Sequence, residues 1–451
     1  MTYSNSNRTS IVVGGGIAGL TAAVFLARQN QKVMVLERSQ HPGGLAQTQT
    51  KHGFSFNIGP HAVGLGGAAF RILTELGVPL KGGVPAYAGS VALFRDRVFQ
   101  LPTNPVSMFT TGMLSLAEKF EAIRFLTGLE HIKTEQLLET SIQTWVDQHL
   151  KHATMREYLK ALLRLSTYSN APEQTSAGVA LAQMKQGVKH NVLYLHNGWQ
   201  SMVNSLCEMA TQAGVEIRTS TPVQSVIRDE QGTVRGVRLV TGEQLSAAAV
   251  ILAVPPKVAL DLVEGSHQSA FGRWAAQTTP IKLACLDLAL SRVPQPKTNF
   301  ALGIDQPWYF SVHSAAAKLG PTGGGLIHVA KYLPINTSNS SASVRAELEH
   351  VLDLVQPGWR EVIVHQRFLP EMTVANSNPR PVASGLGDRP QTAVAEIPGL
   401  FLAGDWVGPE GLLVDASVAS ARDAARKATE FVNYFARTGN QERQSGLVAI
   451  S

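Results

Sequence analysis

The pattern of apolar and polar residues near the start of the chain predicts a strand, a turn, a helix and a second strand, in that order. The β-branched run IVV at residues 11–13 is typical of a short buried strand. The segment IAGLTAAVFLARQN then combines good helix formers with apolar residues at Leu20, Val24 and Ala27. KVMVLE, which follows, indicates a second strand that ends in Glu37. The pattern predicts a βαβ unit at the amino-terminal end.

In the rest of the chain, predicted helices, strands and loops follow one another without a regular repeat. From the first βαβ unit to about Asn191 it predicts helices and loops, and then VEIRT, PVQSVIR, TVRGVRLV and AVILAVP predict a β-meander. GPTGGG and NTSNSSAS predict loops. A strand in GLFLAGDW and a helical run from Asp415 to Phe435 follow. We find no internal repeat of about 20 to 50 residues.

The stretch from Thr9 to Ala27 has no charged residue, and three explanations compete for it. A transmembrane helix needs about twenty apolar residues, but adjacent glycines near the beginning of the stretch argue against a helix there. A signal peptide would carry a basic start, whereas Arg8 is the only early positive charge. The glycines instead have the spacing G-x-G-x-x-G, directly between a strand and a helix. This order predicts a phosphate-binding turn.

The residue type at each position of this turn has a physical explanation. Gly14 permits the tight turn, Gly16 lets the backbone approach a pyrophosphate, and Gly19 lets the helix pack closely on the strand. The helix N-terminus adds partial positive charge. Glu37 follows Gly14 at about the spacing of the carboxylate that accepts ribose hydroxyls. The sequence therefore predicts an adenine dinucleotide site, and the alternative is a glycine-tolerant turn with a solvated Glu37.

Composition excludes several other kinds of protein. With 451 residues, the chain is long enough for two domains. The net charge is +6, but the 39 basic and 33 acidic residues are spread along the chain, so we expect no nucleic acid partner. Cys207 and Cys285 are the only cysteines, which indicates buried thiols in a reducing cytoplasm rather than disulfides or a catalytic thiol. We expect a cytoplasmic protein without a bound metal.

The residues from Glu37 onward resemble a known group of flavoproteins. ERSQHPGGLAQTQTKHGFSFNIGPH resembles the flavin-binding segment of the superfamily that contains phytoene desaturases, protoporphyrinogen oxidases and monoamine oxidases. LFLAGDWVGPEGLLVDASVASARDAA resembles the carboxy-terminal signature of the same superfamily. The order of the two segments is also similar, so the resemblance extends over nearly the whole chain. It implies FAD as the cofactor.

The resemblance implies a two-domain α/β (α+β) flavoprotein. Its Rossmann-like FAD-binding domain, of the glutathione-reductase type, would be assembled from residues 1–75, 192–265 and 385–440. An interleaved substrate domain of mixed sheet and helices would comprise residues 76–191 and 266–384. Residues 441–451 would form a C-terminal tail.

The resemblance also assigns residues to the cofactor site. Residues 59–61 would lie beside the isoalloxazine ring, and Asp405 near the pyrophosphate and the ribityl chain. The residues implied to bind FAD are Gly14, Gly16, Ile17, Ala18, Gly19, Glu37, Arg38, Gly43, Gly44, Leu45, Gly59, Pro60, His61, Val223, Ala253, Gly404, Asp405, Leu412, Leu413 and Val414. His61 and Lys282 are the candidate catalytic residues, whereas Asp415 is expected to cap a helix.

Two departures from the superfamily bear on the substrate. Many relatives have an arginine after the double glycine, where this chain has Leu45. Amine oxidases usually have an aromatic residue after the glycine that corresponds to Gly411, where this chain has Leu412. An aliphatic site suits a large hydrocarbon better than an amine. The resemblance therefore implies a phytoene desaturase-like enzyme that removes hydride from a large apolar substrate and introduces a double bond.

Three alternatives stay open. In protoporphyrinogen oxidases a hairpin similar to LFRDRVFQ leads to the substrate site, where Arg95 or Arg97 would pair with propionates unless they form a solvated turn. In amine oxidases a lysine similar to Lys282 holds a water near the flavin, and the alternative is a lysine with its head in solvent. Rab-escort and dissociation-inhibitor proteins resemble this fold and bind a prenylated partner without FAD. The third alternative is therefore a non-catalytic lipid-binding protein.

The apolar segment PVSMFTTGMLSL has two explanations. Its side chains would attach the protein to the inner face of a membrane, from which relatives draw lipid-like substrates, or they would cap the substrate cavity. The sequence leaves both explanations open. It also leaves open the electron acceptor, the oligomeric state, and whether the net reaction is an oxidation, an isomerisation or a reduction.

Overall fold

The computed structural model describes residues 9–335 and 340–448, with the side chains of residues 9–335 and 340–435. Its strands are β1 (Thr9–Val13), β2 (Lys32–Leu36), β3 (Thr48–Lys51), β4 (Phe54–Asn57), β5 (Val63–Gly64), β6 (Gly82–Gly83), β7 (Ser90–Phe94), β8 (Arg97–Gln100), β9 (Val192–Leu195), β10 (Glu216–Arg218), β11 (Val223–Arg228), β12 (Val234–Leu239), β13 (Gln244–Ser246), β14 (Ala249–Leu252), β15 (Ile281–Leu290), β16 (Phe300–Gly303), β17 (Trp308–Val312), β18 (Gly325–Tyr332), β19 (Ile363–Ala375) and β20 (Leu400–Leu402). Its α-helices are α1 (Ile17–Arg28), α2 (Ala68–Leu76), α3 (Pro105–Thr110), α4 (Leu116–Gly128), α5 (Ile142–His149), α6 (Ala153–Thr167), α7 (Ala177–His190), α8 (Gln200–Gln212), α9 (Pro256–Leu262), α10 (Ala270–Gln277), α11 (Ser341–Val355) and α12 (Leu413–Val448).

The first sheet has five parallel strands in the order β10-β2-β1-β14-β20. Val12 of the central strand β1 lies between Val35 of β2 and Ile251 of β14. All residues of β1 are buried because both faces of the sheet are covered. Helices α1, α8 and α12 pack on one face, and the β11–β13 sheet packs with α9 and α10 on the other. The predicted βαβ unit is confirmed in β1, α1 and β2.

The predicted β-meander is wrong at both ends. Only β11, β12 and β13 form an antiparallel meander. β10, within VEIRT, pairs in parallel with β2, and β14, within AVILAVP, pairs in parallel with β1 and β20. Helix α8 precedes β10 and supplies the crossover that a parallel strand requires. Turn signals in the sequence mark the ends of strands but do not show which sheet a strand joins.

The region before Asn191, predicted as helices and loops, also contains strands. β3 and β4 form one hairpin, and β7 and β8 form another. β3 has the polar sequence TQTK and is mostly exposed. It therefore lacks the apolar alternation by which a strand is recognised in a sequence.

The second sheet has seven strands in the order β19-β15-β18-β17-β16-β7-β8. Its neighbours are antiparallel except for β16 and β7. Helix α11 packs on one face, and Leu283, Tyr309 and Tyr332 belong to an apolar cluster on the other. Helices α4 to α7 form a further apolar cluster with residues of this sheet. The division into two domains at the expected residue boundaries stays a prediction.

Helix α12 continues to Val448, past Phe435, the predicted end of the helical run. Most of the predicted tail, residues 441–448, is therefore helical, and residues 449–451 lie outside the described residues. Residues 336–339 of the predicted loop NTSNSSAS also lie outside them. Among the helices of residues 9–335 and 340–448, none is both long enough and apolar enough to cross a bilayer.

Candidate functional site

The predicted phosphate-binding turn joins β1 to α1. Gly14 has a φ of 104°, and its amide donates a hydrogen bond to the carbonyl of Leu36 at 2.8 Å. A Cβ on Gly19 would lie 1.9 Å from the carbonyl oxygen of Gly14, so only glycine fits where the helix meets the strand. A Cβ on Gly16, in contrast, would meet no described atom within 4 Å, and Gly16 lines a cavity. The turn therefore leaves room for a ligand at the N-terminus of α1.

Glu37 follows β2 and lines the same cavity. Its Oε2 accepts a hydrogen bond from the amide of Gly15 at 2.6 Å, and its Oε1 accepts one from the amide of Ser39 at 2.8 Å. The residue is 7% exposed, so Glu37 is not a solvated strand end. The remaining lone pairs of its oxygens can accept ribose hydroxyls.

The double glycine lies against this turn. The amide of Gly43 donates to the carbonyl of Gly15 at 2.8 Å. Gly43 and Gly44 have positive φ values of 128° and 55°, which favour glycine. The cavity wall here also includes Arg38, Leu45, Val223 and Ala253.

The carboxy-terminal signature reaches the cavity between β20 and the start of α12. The residues that line the cavity there include Gly404, Asp405, Leu412, Leu413 and Val414. The Asp405 carboxylate accepts hydrogen bonds from the backbone amide and the side-chain amide of Asn376, at 2.7 and 2.8 Å. Burial raises the pKa of Asp405, and the bonds from Asn376 oppose this rise. Contact with the cofactor through the backbone of Asp405 stays a prediction.

Asp415 caps a different helix from its own. Helix α12 begins earlier, at Leu413, and the Asp415 carboxylate accepts a hydrogen bond from the amide of Ala69 in the first turn of α2, at 2.8 Å. Burial, opposed by this bond, raises the pKa of Asp415 to about 6. Asp415 lines the cavity as well, so it joins α2 to the start of α12 at the cavity wall.

Pro60 and His61 line the cavity, whereas Gly59 serves the packing beside them. A Cβ on Gly59 would lie 2.8 Å from the sulfur of Met372. Nδ1 of His61 lies 3.1 Å from the carbonyl oxygen of Gly59, and its ring meets the edge of Trp199 at a centroid distance of 4.6 Å. Burial lowers the pKa of His61 to about 4. His61 is therefore a neutral imidazole at neutral pH.

Lys282, Arg95 and Arg97 are not part of the cavity wall. Nζ of Lys282 pairs with Oε1 of Glu371 at 2.6 Å, and the lysine side chain is 37% exposed. The expectation that Lys282 acts beside the flavin is therefore corrected: its head lies in solvent, paired with a carboxylate. Arg95 lies in the exposed turn between β7 and β8, where its amide donates to the Asp305 carboxylate at 3.0 Å, and Arg97 is the exposed first residue of β8. This placement matches a solvated turn rather than a propionate-binding site.

The cavity has a volume of 1090 Å³ and joins the glycine turn to a mostly apolar end. The residues that line this end are Leu126, Leu129, Tyr158, Leu162, Leu165, Tyr168, Met184, Val188, Phe300 and Tyr309. Sequence reasoning assigned none of them to a site. Tyr158, Leu162 and Leu165 have helical spacing on α6, which reveals an apolar face. The spacing does not show that this face borders a cavity rather than the core.

A buried polar cluster in the second sheet was also missed. Ligand atoms of Cys285, Asp287 and His328 lie within 4.8 Å of one another. However, Nε of Arg367 donates to Oδ2 of Asp287 at 3.1 Å, so the carboxylate already has a cation. Burial raises the pKa of Cys285, which keeps the thiol protonated. The cluster is therefore an ion-pair network rather than a set of metal ligands.

The other cysteine, Cys207, was expected to be buried. It lies on α8 and is partly exposed.

The residues at the glycine end fit an adenine dinucleotide. Gly16 opens onto the cavity, no described side chain caps the N-terminus of α1, and Glu37 faces the same space. Together they supply groups for a pyrophosphate and a ribose. All the residues that the resemblance assigns to FAD line the cavity, except Gly19 and Gly59, whose small size permits close packing.

Known proteins provide an independent comparison. Residues 17–286, more than half of the chain, match the family described as flavin containing amine oxidoreductase. An inactive all-trans-retinol 13,14-reductase from Danio rerio is 25% identical over 273 residues, which cover 53% of this chain and 45% of that protein. A phytoene desaturase (neurosporene-forming) from Rhodobacter capsulatus is 23% identical over 280 residues, which cover 54% of this chain and 51% of that protein. The chain thus spans about half the length of these curated relatives.

A solved structure confirms the fold class. The crystal structure of an oxidoreductase from Methanosarcina mazei superposes with a TM-score of 0.74 at 16% sequence identity. The superposition covers 93% of this chain and 100% of that one. At this identity the likeness shows the fold alone, and it agrees with the expected two-domain α/β architecture. With the family match over residues 17–286, the chain belongs to the family of flavin-containing amine oxidoreductases, and its cofactor is FAD.

Proposed function

We propose that this protein is an oxidoreductase that uses FAD to remove hydride from a large apolar substrate, in the manner of a phytoene desaturase. The observation that carries the proposal is the continuous cavity. One end contains the glycine turn and Glu37, and the other is lined by side chains of α4, α6 and α7. A long apolar molecule bound at the second end would extend toward a cofactor held at the first.

The residues of the cavity have distinct roles in this proposal. FAD, when bound, supplies the hydride acceptor. Gly16, the N-terminus of α1 and Glu37 would hold its pyrophosphate and ribose. The aliphatic and aromatic wall would orient the reacting C–H bond and exclude water. His61 would add no positive charge beside the apolar substrate, because burial lowers its pKa to about 4.

Several positions favour a hydrocarbon over an amine or a porphyrin. Leu412 lines the cavity where amine oxidases usually have an aromatic residue, and Lys282 lies outside the cavity wall. Arg95 and Arg97, the candidates for propionate binding, also lie outside it. The names of two relatives add support, because they refer to phytoene and to retinol, both apolar molecules.

Visible spectroscopy of the purified protein tests this function. We expect a yellow protein whose oxidised flavin band bleaches in the absence of oxygen when phytoene in detergent is added. Bleaching by protoporphyrinogen or by simple amines instead would identify one of the alternative oxidases. A colourless protein that cannot be loaded with FAD would contradict the enzymatic proposal and support a lipid-binding protein.

We also infer that the protein attaches to a membrane surface through a mouth patch formed by Val106, Phe109, Leu116 and Phe120. These apolar side chains are 62–73% exposed. Soluble proteins rarely expose several large apolar side chains in one patch. Leu126, on the same helix as Leu116 and Phe120, is 39% exposed and lines the cavity. The mouth patch therefore adjoins the apolar end, where a substrate could pass from a bilayer into the cavity without crossing water.

Co-sedimentation with phospholipid vesicles tests this attachment. Changing Phe109 and Phe120 together to serine should weaken binding at least about 10-fold, because each buried phenylalanine contributes about 1.5–3 kcal/mol. Val240→Ser is the matched control, since Val240 is 62% exposed but lies between β12 and β13. Unchanged binding of the double variant would contradict the role of the mouth patch.

A further inference from the structure

A row of polar side chains crosses the second sheet. Asp287 on β15 lies opposite Arg367 on β19 and His328 on β18, and His328 lies opposite Ser311 on β17. Directly opposed residues project from the same face of a sheet. Ser311 lines the cavity, so the row extends from the Asp287–Arg367 ion pair toward the substrate.

Asp287 places a fixed negative charge behind the cavity wall. Its side chain is fully buried. Oδ1 accepts a hydrogen bond from Nδ1 of His328 at 2.6 Å, and Oδ2 accepts one from Nε of Arg367 at 3.1 Å. Burial opposes the charge, but His328 and Arg367 together lower the pKa of Asp287 below its ordinary value. The carboxylate is therefore ionised at neutral pH.

His313 lies between this charge and a tyrosine of the cavity wall. Its ring meets the ring of His328 at a centroid distance of 4.5 Å and stacks on Tyr194 at 3.9 Å. Nε2 of His313 lies 3.4 Å from the hydroxyl of Tyr309. Burial, with smaller contributions from His328 and His61, lowers the pKa of His313 well below its ordinary value. The ring is therefore neutral.

Nε2 is the nitrogen of His313 that is placed to accept a proton from Tyr309. Within the described part of the chain, Nδ1 has no hydrogen-bond partner, whereas Nε2 faces the hydroxyl of Tyr309. A proton on Nδ1 leaves Nε2 with a lone pair directed at that hydroxyl. The structure thus offers a proton path that begins at Tyr309 on the cavity wall and ends in a buried imidazole.

We propose that Tyr309 accepts the proton that the substrate loses and passes its own hydroxyl proton to His313 in the same step. The proposal rests on the proposed function, in which a new double bond requires the loss of a hydride and a proton from adjacent carbons. FAD, when bound, would supply the acceptor for the hydride and its electron pair. The second C–H bond breaks, its electrons form the π bond, and its proton bonds to the Tyr309 oxygen while the original hydroxyl proton bonds to Nε2 of His313. The ring of His328, which is hydrogen-bonded to Asp287, packs against the ring that receives this proton.

A tyrosine paired with a neutral histidine is a weak base, and this step needs no stronger one. Hydride loss leaves a carbon cation, and a C–H bond beside such a cation is strongly acidic. Tyr309 is 6% exposed, and burial raises its pKa well above the ordinary value, so its hydroxyl keeps its proton until His313 accepts it. The transferred proton stays in a buried pair instead of entering the cavity.

Tyr309→Phe removes the hydroxyl but keeps the ring. Tyr332→Phe is the matched control, because Tyr332 is buried in the same apolar cluster as Tyr309 but is not part of the cavity wall, and its hydroxyl has no hydrogen-bond partner in the described part of the chain. In single turnovers of the FAD-loaded protein with phytoene, we expect double-bond formation at least about 100-fold slower in Tyr309→Phe and within about twofold of wild type in Tyr332→Phe. Both variants should keep the wild-type flavin spectrum and the wild-type Kd for phytoene.

Nitrogen NMR of histidine-labelled protein tests the same pair without turnover. We expect His313 to be neutral at neutral pH, with an Nε2 resonance that shifts in Tyr309→Phe and does not shift in Tyr332→Phe. A charged His313, or wild-type product formation by Tyr309→Phe, would overturn the proposal while FAD binding and the substrate class remain. Failure of the wild-type protein to oxidise phytoene would instead overturn the proposed function, and with it the source of the proton.

Discussion

The substitutions Gly16→Ala and Gly19→Ala should impair different properties of the protein, although each adds only a methyl group. Gly16 has φ −77° and ψ −178°, which any residue can adopt, and a Cβ there would meet no described atom within 4 Å. A Cβ on Gly19 would lie 1.9 Å from the carbonyl oxygen of Gly14. The first change should therefore affect the ligand, and the second should affect the fold.

Gly16→Ala is expected to fold normally and to bind FAD poorly. Alanine restricts the unfolded chain, which stabilises the protein by about 0.4–1 kcal/mol, but it is a poorer helix N-cap than glycine by about 0.5 kcal/mol. These two effects nearly cancel. The new methyl group would displace the pyrophosphate from the turn. Loss of two hydrogen bonds to phosphate, at about 1.5 kcal/mol each, weakens binding by about 3 kcal/mol, or about 100-fold in Kd.

Gly19→Ala should instead lower the free energy of unfolding by about 3 kcal/mol, because the backbone of β1 and α1 must move apart. Urea unfolding of the FAD-free protein and fluorescence titration with FAD separate the two effects. A Gly16→Ala protein with the wild-type Kd would refute the position of the pyrophosphate. Wild-type stability of Gly19→Ala would refute the packing argument.

Three further changes test other parts of the structure. Lys282→Met should leave turnover within about twofold of wild type and stability within about 1 kcal/mol, because the lysine forms only an exposed ion pair; a larger loss of turnover would restore its catalytic role. Asp287→Asn should lower the free energy of unfolding by about 3–5 kcal/mol in urea titrations, because it leaves Arg367 without its buried partner. Burial raises the pKa of Asp415 to about 6, so ionisation of this group lowers stability as pH rises from about 4 through 6. Asp415→Asn should therefore be more stable than wild type by up to about 3 kcal/mol at pH 8 and no more stable near pH 4; a gain that is equal at both pH values would contradict the raised pKa.

The parts of the site that the sequence predicts are those made by neighbouring residues. The spacing of Gly14, Gly16 and Gly19 between a strand and a helix requires no knowledge of the rest of the chain. Glu37 was predictable for the same reason, because a single βαβ unit fixes its distance from the turn. The hydrophobic pattern thus predicted β1, α1 and β2, and the glycine spacing predicted the turn and Glu37. The other residues of the cofactor end were assigned by the family resemblance.

The apolar end of the cavity could not be predicted in this way. Tyr158 on α6 and Tyr309 on β17 are far apart in the sequence and share a wall only because α6 packs beside the second sheet. Asp287, His328 and Arg367 become neighbours only through the pairing of β15 with β18 and β19. An apolar or charged residue in a strand looks the same in the sequence whether it faces a core or a cavity.

The same limit explains the correction at Lys282. A lysine in an apolar strand is compatible with a role at the flavin or with an ion pair at the surface, and only the position of Glu371 on the neighbouring strand distinguishes them. Asp415 shows a related limit. Its place near the start of a helix predicted a cap, but the capped amide belongs to α2, which lies far away in the sequence.

The stoichiometry of a single turnover tests the central claim most directly. FAD-loaded protein would be mixed with phytoene without oxygen, the flavin followed by absorbance and the hydrocarbon products identified by mass. We predict that one new double bond forms for each FAD reduced. FAD that stays oxidised, or that is reduced without loss of hydrogen from the hydrocarbon, would contradict the account.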